Sequence, residues 1–321
     1  MKLIVAVDNE WGIGNKGDLL ARIRADLNNF RSLTDGKTVI LGSNTLSTFP
    51  GGRVLKNRVN IVLHPDQAYR PEGATVAHSV AEALALAKRY GYDDTFIIGG
   101  ASIYRQFLPY CDTAYVTKFK KSYEKDVYFE NLDESYEWEL AEESEVMHSD
   151  PEKDTDPDLS YTFCTYKRVR PAVIIREANP QDVGDIYRLL KIIADLHREL
   201  RPDIMGGTES KYSKEELEKF VSAQAGPRIF VAECGGEVCG HIFCELRRGF
   251  ANEVYIDDLC VDPQYRRRGI GKKLMDRAEA FGRENGCAGM ILNVWRGNAE
   301  AEEFYKSRGM TERSRYYEKK L

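Results

Sequence analysis

The sequence predicts two consecutive α/β domains, the first of which contains a largely parallel sheet. The chain has 321 residues, a length that accommodates two domains of roughly 150 residues each. In the first half, short apolar runs alternate with segments of helical period, which is typical of a parallel sheet with crossover helices. Pro171 then interrupts an alternating strand at residues 161–170, because proline cannot continue a central ladder. We therefore predict domains at residues 1–169 and 170–321.

Composition and charge exclude several functional classes. The net charge is −5. Residues 1–168 contain 20 basic and 26 acidic side chains, and residues 169–321 contain 26 basic and 25 acidic side chains. Neither half has the basic excess of a nucleic-acid-binding domain. The apolar run at residues 3–7 is too short for a signal peptide or a membrane span. The seven cysteines form no CxxC pair, which favours reduced thiols, a cytoplasmic location and no metal site.

The sequence pattern of the first half predicts five strands and two helices. The strands are short apolar runs bounded by turn residues, and the helices show apolar residues at a period near 3.6. The acidic stretch at residues 149–160 contains two prolines and predicts a long hairpin loop. Strands are predicted at 2–7, 38–42, 59–63, 95–100 and 113–117, and helices at 21–33 and 79–90.

A carboxylate lies on the apolar face of the first predicted helix. Ile23, Leu27 and Phe30 recur at helical spacing, and Asp26 falls on the same face. Two interpretations fit this position equally well. The carboxylate is either in the first helical turn, where the helix dipole favours it, or partly buried with a functional role.

Two glycines, Gly99 and Gly100, stand between a buried strand and a helix. Paired glycines at such a turn let the backbone approach a ligand closely, and the helix N-terminus offers amides to a phosphate group. Many strand–helix turns contain two glycines for packing alone. The pair is therefore compatible with either a ligand site or a packing requirement.

The ordered segments of residues 1–168 together resemble dihydrofolate reductase. The matching segments are LIVAVDNEWGIGNKG, RADLNNFR, TVILGSNTLSTFPG, LKNRVNIVL, FIIGGASIYRQFLP and AYVTKF. The resemblance implies that Asp26 holds the pterin ring of dihydrofolate and assists protonation at N5, with Thr117 bonded to both the acid and the ring. It also implies a pocket lined by Ile4, Leu27 and Phe30, and an Arg58 that pairs with the glutamyl α-carboxylate.

The same resemblance implies a site for NADPH. Leu20-Ala21 replaces the Pro-Trp that is usual in this family, Ser43 replaces a basic residue that pairs with the 2′-phosphate, and His64 replaces a serine. His64 and His78 could still contact the 2′-phosphate, although an ordinary surface position is the simpler interpretation of each. NADH is therefore an alternative cofactor. The residues implied to contact the cofactor are Ala6, Ile13, Gly14, Gly42, Ser43, Thr45, His64, Gly99, Gly100 and Tyr104.

The second half contains an anion-binding pattern. Residues 254–284 read as a strand, a turn marked by Pro263, a loop with the sequence RRRGIG and an amphipathic helix. Glycines at a helix N-terminus expose successive amides, and the helix dipole and three arginines favour an anion. The sequence GxxxxGK[ST] is absent, so this is not a P-loop. The pattern indicates a cradle for a pyrophosphate group.

This half resembles the GCN5-related N-acetyltransferases (GNAT) over residues 173–321, and the resemblance implies a mixed-sheet α/β domain that uses acetyl-CoA as co-substrate. The loop matches the family's R/Q-x-x-G-x-G/A motif, and NAEAEEFY follows one strand later. By resemblance, the amides of Cys260 and Val261 would pair with the pantetheine arm, and Tyr305 would protonate the departing thiolate. The residues implied at the pyrophosphate and the rest of the cofactor are Arg266, Arg268, Gly269, Gly271, Lys272 and Asn298.

The amine acceptor needs a base or a water relay, because only the neutral amine attacks the thioester. Glu253, Asp257 and Asp258 are candidates, and strand alternation places the first two on one face and Asp258 on the other. We favour Glu253, with a solvated strand-end charge as the alternative. The acceptor is unidentified: an antibiotic, a polyamine, a protein N-terminus or a small metabolite would fit. Residues 195–225 and the loop LRRGFANE are expected to bind it.

Three functional hypotheses follow. In the first, both halves are active, so the chain is a bifunctional dihydrofolate reductase and N-acetyltransferase. In the second, the first half is a degenerate binding module that serves an active acetyltransferase. Leu20-Ala21 and Ser43 argue for this hypothesis. In the third, the first half is a related pterin or pyrimidine reductase, against which Arg58 argues. A homodimer is one assembly the chain could form.

Overall fold

A computed structural model describes residues 1–207, 209–222, 226–249, 251–314 and 318. The chain divides into two compact units, Met1–Ala172 and Val173–Leu321. Thr208, residues 223–225 and Phe250 belong to the expected acceptor region and lie outside the described residues. In the part of the chain that the structure describes, no helix is long and apolar enough to span a membrane, and no group of three or more His, Cys, Asp or Glu side chains could hold a metal ion.

The first unit is an α/β domain built on one large sheet, as predicted. Its strands are β1 (Lys2–Val7), β2 (Gly12–Gly14), β3 (Thr38–Gly42), β4 (Val59–Leu63), β5 (Thr75–Ala77), β6 (Thr95–Gly99), β7 (Thr113–Phe119), β8 (Val127–Tyr128), β9 (Trp138–Glu143), β10 (Met147–His148) and β11 (Ser160–Arg168). Its helices are α1 (Arg24–Thr34), α2 (Ser43–Thr48), α3 (Val80–Tyr90) and α4 (Ala101–Phe107).

The main sheet has the order β10-β11-β7-β1-β6-β3-β4-β5, with β9 also paired to β11. Neighbouring strands are parallel along the part of this order that contains β7, β1, β6, β3, β4 and β5. The strand β11 is antiparallel to β7. Both faces of the parallel strands are covered, because alternate residues of β1 enter different apolar clusters: Leu3 and Val5 join one and Ile4 the other. Buried parallel strands of this kind have continuous apolar sequences.

The loop at residues 149–159 closes the β10–β11 hairpin and also caps α1. Ile23 precedes the helix and provides no capping side chain. Instead, Asp154 Oδ1 accepts a hydrogen bond from the Arg24 amide at 2.7 Å, and its Oδ2 accepts from the Asp150 amide at 2.7 Å. Thr155 Oγ1 accepts from the Arg22 amide at 2.8 Å. A carboxylate 130 residues away in sequence thus satisfies one of the first amides of α1, which have no partner within the helix.

We expect Asp154→Ala to destabilise the first unit by about 0.5–2 kcal/mol, the usual cost of losing an N-cap. Asp154→Asn keeps a side-chain oxygen and should therefore lose less stability. The measurement is urea unfolding followed by tryptophan fluorescence in a Trp295→Phe background, in which Trp11 and Trp138 report the first unit alone. Equal stability of the alanine variant and the unsubstituted chain would contradict the capping role.

The second unit is an α/β domain with a mixed sheet, as the resemblance implied. Its strands, in the order in which they pair, are β12 (Val173–Glu177), β13 (Arg228–Cys234), β14 (Glu237–Arg247), β15 (Glu253–Val261) and β16 (Gly289–Leu292). Its helices are α5 (Val183–Leu200), α6 (Pro202–Met205), α7 (Lys214–Ser222), α8 (Ile270–Glu284) and α9 (Ala299–Ser307). Neighbouring strands are antiparallel except for β15 and β16, which are parallel.

The β15 strand has two irregularities that shape one edge of the sheet. It pairs with β16 from Glu253 to Ile256, whereas its pairing with β14 continues to Val261. The two strands therefore part after Ile256 within the described residues. A β-bulge occurs at the same point, because Phe243 of β14 pairs with Asp258 and Cys244 pairs with Ile256, which leaves Asp257 as the extra residue. Bulges re-aim side chains and are common beside active sites.

Candidate active sites

Asp26 lies in the first turn of α1 and contacts the central sheet. Its Oδ1 accepts a hydrogen bond of 2.6 Å from the Thr117 hydroxyl on β7. Thr117 pairs with Ala6 of β1, so the acid lies beside the neighbouring strands β7 and β1. Burial raises the pKa of Asp26, and the Thr117 hydroxyl partly offsets this by favouring the ionised form. A carboxyl group with a raised pKa is suited to proton transfer near neutral pH.

Apolar side chains surround this acid unevenly. Ile4 is buried in the cluster that also includes Phe30, which is partly buried. Leu27 keeps 45% of its surface exposed. The structure thus brings Ile4 and Phe30 together and leaves Leu27 at the surface of the helix, where a flat ligand that enters beside Asp26 would cover it.

Arg58 is held at the C-terminal end of α1. Its Nε donates to Thr34 Oγ1 at 3.0 Å, and its two terminal nitrogens donate to the carbonyl oxygens of Lys56 at 2.6 Å and Arg31 at 3.2 Å. Its side chain is 7% exposed, and Asp35 lies 3.6 Å away. These bonds fix a planar cation whose remaining donors can pair with a carboxylate.

The glycine pair lies where β6, α2 and α4 meet. The peptide bond between Gly99 and Gly100 is cis, and Gly99 has a φ of 120°. A Cβ at Gly100 would lie 3.2 Å from Thr45 Oγ1. Tyr104, in α4, donates from its hydroxyl to the Ile4 carbonyl at 2.6 Å. The structure therefore brings together Ile4, Thr45, Gly99, Gly100 and Tyr104 around a backbone concavity that a side chain would fill.

The other residues implied for the nicotinamide cofactor lie at the carboxyl ends of the neighbouring strands. Gly42 pairs with Leu63, so Ser43 and His64 directly follow two adjacent strands. His64 stacks on Tyr69 at 4.2 Å, and its carbonyl oxygen contacts His78 Nδ1 at 2.9 Å. Ala6 lies in β1, and Ile13 and Gly14 lie in β2. The ends of β3 and β4 thus place Ser43 and His64 on neighbouring strands, with a serine where the family usually has a basic residue.

The segment predicted to bind an anion lies at the N-terminus of α8. Gly269 precedes the helix with a φ of 74°, and Arg267 also has a positive φ of 63°. Arg266 Nε donates to the Val261 carbonyl at 3.2 Å, and Arg268 donates to the Gln264 carbonyl at 2.7 Å. A Cβ at Gly271 would lie 3.2 Å from Phe304. The exposed Lys272 and the first amides of this 15-residue helix complete a surface suited to a diphosphate.

The strand that precedes the cradle has an open edge. Cys260 and Val261 pair with His241 and Gly240 of β14, and they lie beyond the last pair that β15 makes with β16. Residues 257–261 therefore have no described strand beside them on this edge, although the carbonyl oxygens of Asp257 and Val261 accept hydrogen bonds from Lys211 and Arg266. An extended chain adds to such an edge through main-chain hydrogen bonds.

Tyr305 and Asn298 lie in and just before α9. Burial, and secondarily the charge of Asp258, raises the pKa of Tyr305, so the phenol remains a proton donor at neutral pH. Asn298 Oδ1 accepts from the Ala301 amide at 3.2 Å and caps the helix. The asparagine therefore has a structural role in α9 besides the cofactor contact that the sequence implied.

Comparison with known families assigns the two halves. The family model "Dihydrofolate reductase" matches residues 1–168, and the model "Acetyltransferase (GNAT) family" matches residues 191–310. The chain belongs to the dihydrofolate reductase family. Its second half is a GNAT acetyltransferase domain, so the protein joins an oxidoreductase to an N-acetyltransferase.

Relatives of the reductase domain include enzymes from bacteria, an archaeon and animals. The chain is 34% identical over 172 residues to dihydrofolate reductase from Staphylococcus haemolyticus, covering 53% of this chain and 96% of that protein. It is 34% identical over 170 residues to the Bacillus subtilis enzyme, covering 52% and 94%. A solved dihydrofolate reductase from Enterococcus faecalis, complexed with NADP(H) and RAB-propyl, is 31% identical with a TM-score of 0.46, covering 52% of this chain and 95% of that one.

In the acetyltransferase domain, the bulge changes the expected arrangement of the acidic residues. Strict alternation predicts that Asp257 and Asp258 lie on opposite faces of the strand. This prediction is wrong. Asp257 accepts from the Tyr212 hydroxyl at 2.7 Å, and Asp258 contacts His241 at 2.6 Å. Tyr212 and His241 both pack on Phe243, so the two carboxylates lie on the same side of β15. The extra residue at the bulge shifts the alternation by one position.

Glu253 lies at the other end of β15. It pairs with Gly289 of β16, and its carboxylate forms an ion pair of 2.6 Å with Arg313. The favoured candidate base is thus in the part of the strand that is still paired. No motif in the sequence predicts a role for His241, Lys211 or Tyr212, which contact the acidic pair. A histidine inside the apolar run VCGHIFC was the one available signal for His241.

Proposed function

We propose that the first domain reduces 7,8-dihydrofolate to tetrahydrofolate with NADPH, and that the second transfers an acetyl group from acetyl-CoA to an amine. The observation that supports the reductase best is the partly buried Asp26 carboxyl bonded to Thr117. The parting of β15 and β16 beside the α8 cradle supports the acetyltransferase best. We further propose a cytoplasmic protein, with a homodimer as one possible assembly.

In the reductase, the chain positions the pterin and supplies its proton. A bound reduced nicotinamide supplies the hydride. Asp26 would accept hydrogen bonds from the pyrimidine edge of the pterin and assist protonation at N5, and Thr117 would fix the carboxyl group. Arg58 would pair with the glutamyl carboxylate of the substrate. The backbone at Gly99 and Gly100 would approach the cofactor, because no side chain intervenes there.

Wild-type protein tests this proposal directly. Loss of nicotinamide absorbance should require dihydrofolate, and thiol release from acetyl-CoA should require an amine. An amine-library screen with acetyl-CoA would identify the acceptor. If the first domain is a degenerate binding module, it oxidises no cofactor with dihydrofolate. If it is a related pterin reductase, it does so with another pterin instead.

The preference for NADPH over NADH is a specific test of the cofactor site. Ser43→Arg should raise the ratio of kcat/KM for NADPH to that for NADH by about ten- to hundredfold, because a charge-assisted hydrogen bond contributes about 1.5–3 kcal/mol. Ser47→Arg places the same charge at an exposed position of α2 and should change the ratio little. If both variants change the ratio equally, residue 43 does not face the 2′-phosphate.

A further inference from the structure

A lysine from another part of the chain lies at the point where β15 leaves β16. The Nζ atom of Lys211, in the segment between α6 and α7, donates a hydrogen bond of 2.8 Å to the main-chain carbonyl oxygen of Asp257. It also forms an ion pair of 2.7 Å with Oδ1 of the same residue. Asp257 directly follows the last pair between the two strands, which is Ile256 with Leu292. The primary amine of Lys211 therefore lies at the start of the open edge.

The neighbouring residue anchors this segment to the domain. The Tyr212 hydroxyl donates to Asp257 Oδ2 at 2.7 Å. The Tyr212 ring stacks on Phe243 of β14, with the ring centroids 5.7 Å apart, and meets Phe220 of α7 edge-on at 5.2 Å. Phe243 is completely buried, so the anchor reaches the core. The side chain of Lys211 nevertheless remains 39% exposed, and its amine is thus held in place yet accessible to a ligand.

The open edge connects this amine to the proposed cofactor cradle. It extends from Asp257 to Val261, and four residues of strand span about 13 Å. At the cradle end, Arg266 Nε donates to the Val261 carbonyl at 3.2 Å. At the other end, Lys211 donates to the Asp257 carbonyl. An extended cofactor that binds through its diphosphate at the N-terminus of α8 would therefore carry its acetyl group along this edge toward Lys211.

We propose that Lys211 is a modification site, which is acetylated by the acetyl-CoA bound to the same molecule. This inference rests on the proposed acetyltransferase function. The Lys211 ammonium group first loses a proton to solvent, and the neutral nitrogen then attacks the acetyl carbon. The carbon–nitrogen bond forms, the carbon–sulfur bond breaks, and the nitrogen releases a second proton, which neutralises the departing thiolate. The products are Nε-acetyllysine and coenzyme A.

Acetylation changes the contacts at the start of the open edge. An acetyllysine side chain carries no charge, so its ion pair with Asp257 is lost. The Asp257 carboxylate keeps the Tyr212 hydroxyl as a partner. The modification therefore removes the charged part of the anchor between β15 and the segment before α7, which belongs to the region expected to bind the amine acceptor.

Lys214 provides an internal comparison for Lys211. It is the first residue of α7, three positions further along the chain, and it is exposed. Its ammonium group lies 5.3 Å from the centroid of the Tyr187 ring on α5. An unselective chemical reaction with acetyl-CoA modifies both lysines, whereas a reaction directed by the bound cofactor modifies Lys211.

The test uses the full chain incubated with acetyl-CoA and then digested with a protease that cleaves at acidic residues. Mass spectrometry of the peptides measures acetylation at each lysine. Lys211 should be acetylated at least about tenfold faster than Lys214, because a reaction within one complex has a high effective concentration. The rate per molecule should not depend on protein concentration. Equal rates at the two lysines, or a rate proportional to protein concentration, would overturn the proposal.

Two glycine substitutions show whether the acetyl group comes from the cofactor bound at the cradle. Gly271→Glu places a carboxylate in the cradle and should lower the rate at Lys211 to that at Lys214. Gly184→Glu adds the same side chain at the start of α5, where a Cβ meets nothing within 4 Å, and should leave the rate at Lys211 unchanged. Selective acetylation of Lys211 that continues at the wild-type rate in Gly271→Glu contradicts the inference.

Other outcomes separate this inference from the proposed function. If acetyl-CoA does not raise the melting temperature of the wild type, the acetyltransferase function itself fails. If the rise occurs and free amines are acetylated, yet Lys211 reacts no faster than Lys214, only the present inference fails. Lys211→Arg keeps a cation for Asp257 but removes the amine, so the fast acetylation should disappear while Lys214 reacts at its wild-type rate. Persistence of a fast reaction at another lysine in this variant would also contradict the assignment.

Discussion

Asp26→Asn should lower dihydrofolate reduction by about 10²–10⁴-fold while leaving the first domain folded. General acid–base groups contribute rate factors of this size. Asparagine keeps an oxygen that can accept from the Thr117 hydroxyl, whose bond to Asp26 is 2.6 Å. It cannot assist protonation, and it presents an amide donor where the pterin also donates. The loss should therefore appear in kcat as well as in the KM for dihydrofolate.

The same substitution should stabilise the protein at neutral pH. Burial raises the pKa of Asp26 above its unfolded value, so the native state binds a proton more tightly than the unfolded chain. The stability that this group contributes is present at low pH and is lost as the pH rises through the raised pKa. Asparagine does not titrate. Asp26→Asn should therefore unfold at a higher urea concentration than wild type at pH 7, with a difference that shrinks as the pH falls.

The pH dependence of activity follows from the same carboxyl group. If the protonated acid assists the reaction, wild-type activity falls as the pH rises above the raised pKa of Asp26, and the activity of the variant is flatter. Asp93→Asn, at an exposed position, should change neither activity nor stability appreciably. Wild-type activity in Asp26→Asn would mean that the acid is only part of the helix N-terminus.

Gly271→Glu should abolish acetyl-CoA binding by the second domain. A Cβ at this position would lie 3.2 Å from the Phe304 ring, so the ring must move by a few tenths of an ångström. The added carboxylate would also lie beside the amides and arginines that favour the pyrophosphate, where it repels a second anion. The steric and electrostatic effects act in the same direction, which is why we expect a complete loss.

Thermal unfolding measures this effect without knowledge of the acceptor. A ligand at about 100 times its Kd stabilises the folded state by about 2.7 kcal/mol, which corresponds to a rise of about 5–10 °C for a domain of this size. The rise should occur in wild type and be absent in Gly271→Glu. Gly184→Glu is a matched control, because a Cβ there meets nothing within 4 Å. If acetyl-CoA stabilises Gly271→Glu as it does wild type, the cradle is elsewhere.

Local patterns in the sequence determined most of the architecture. Strands such as β3 and β4 are short runs of five mostly apolar residues, and α3 follows a regular helical period between Ser79 and Gly91. Such elements are specified by neighbouring residues, so their order and type could be predicted. The RRRGIG loop likewise combines its glycines, its arginines and a helix start within a few positions.

Tertiary structure decided what the local pattern left open at Asp26. The sequence left two interpretations open. The carboxylate was either in the first helical turn or partly buried with a functional role. The structure places Asp26 in the first turn of α1 and bonds its carboxylate to Thr117, 91 residues away. The cap of the same helix comes from Asp154, in a loop that composition alone described as irregular. Contacts over such distances leave no periodic signal.

The acetyltransferase site shows the same division. The sequence by itself determined that this chain carries a reductase-like half, an acetyltransferase-like half and an anion cradle, because those features reside in contiguous segments. Only the tertiary structure decided which carboxylates share a side of β15 and which is paired with His241. The physical reason is the bulge at Asp257: its position depends on the register of β15 against both β14 and β16, and no alternation within one strand reveals it.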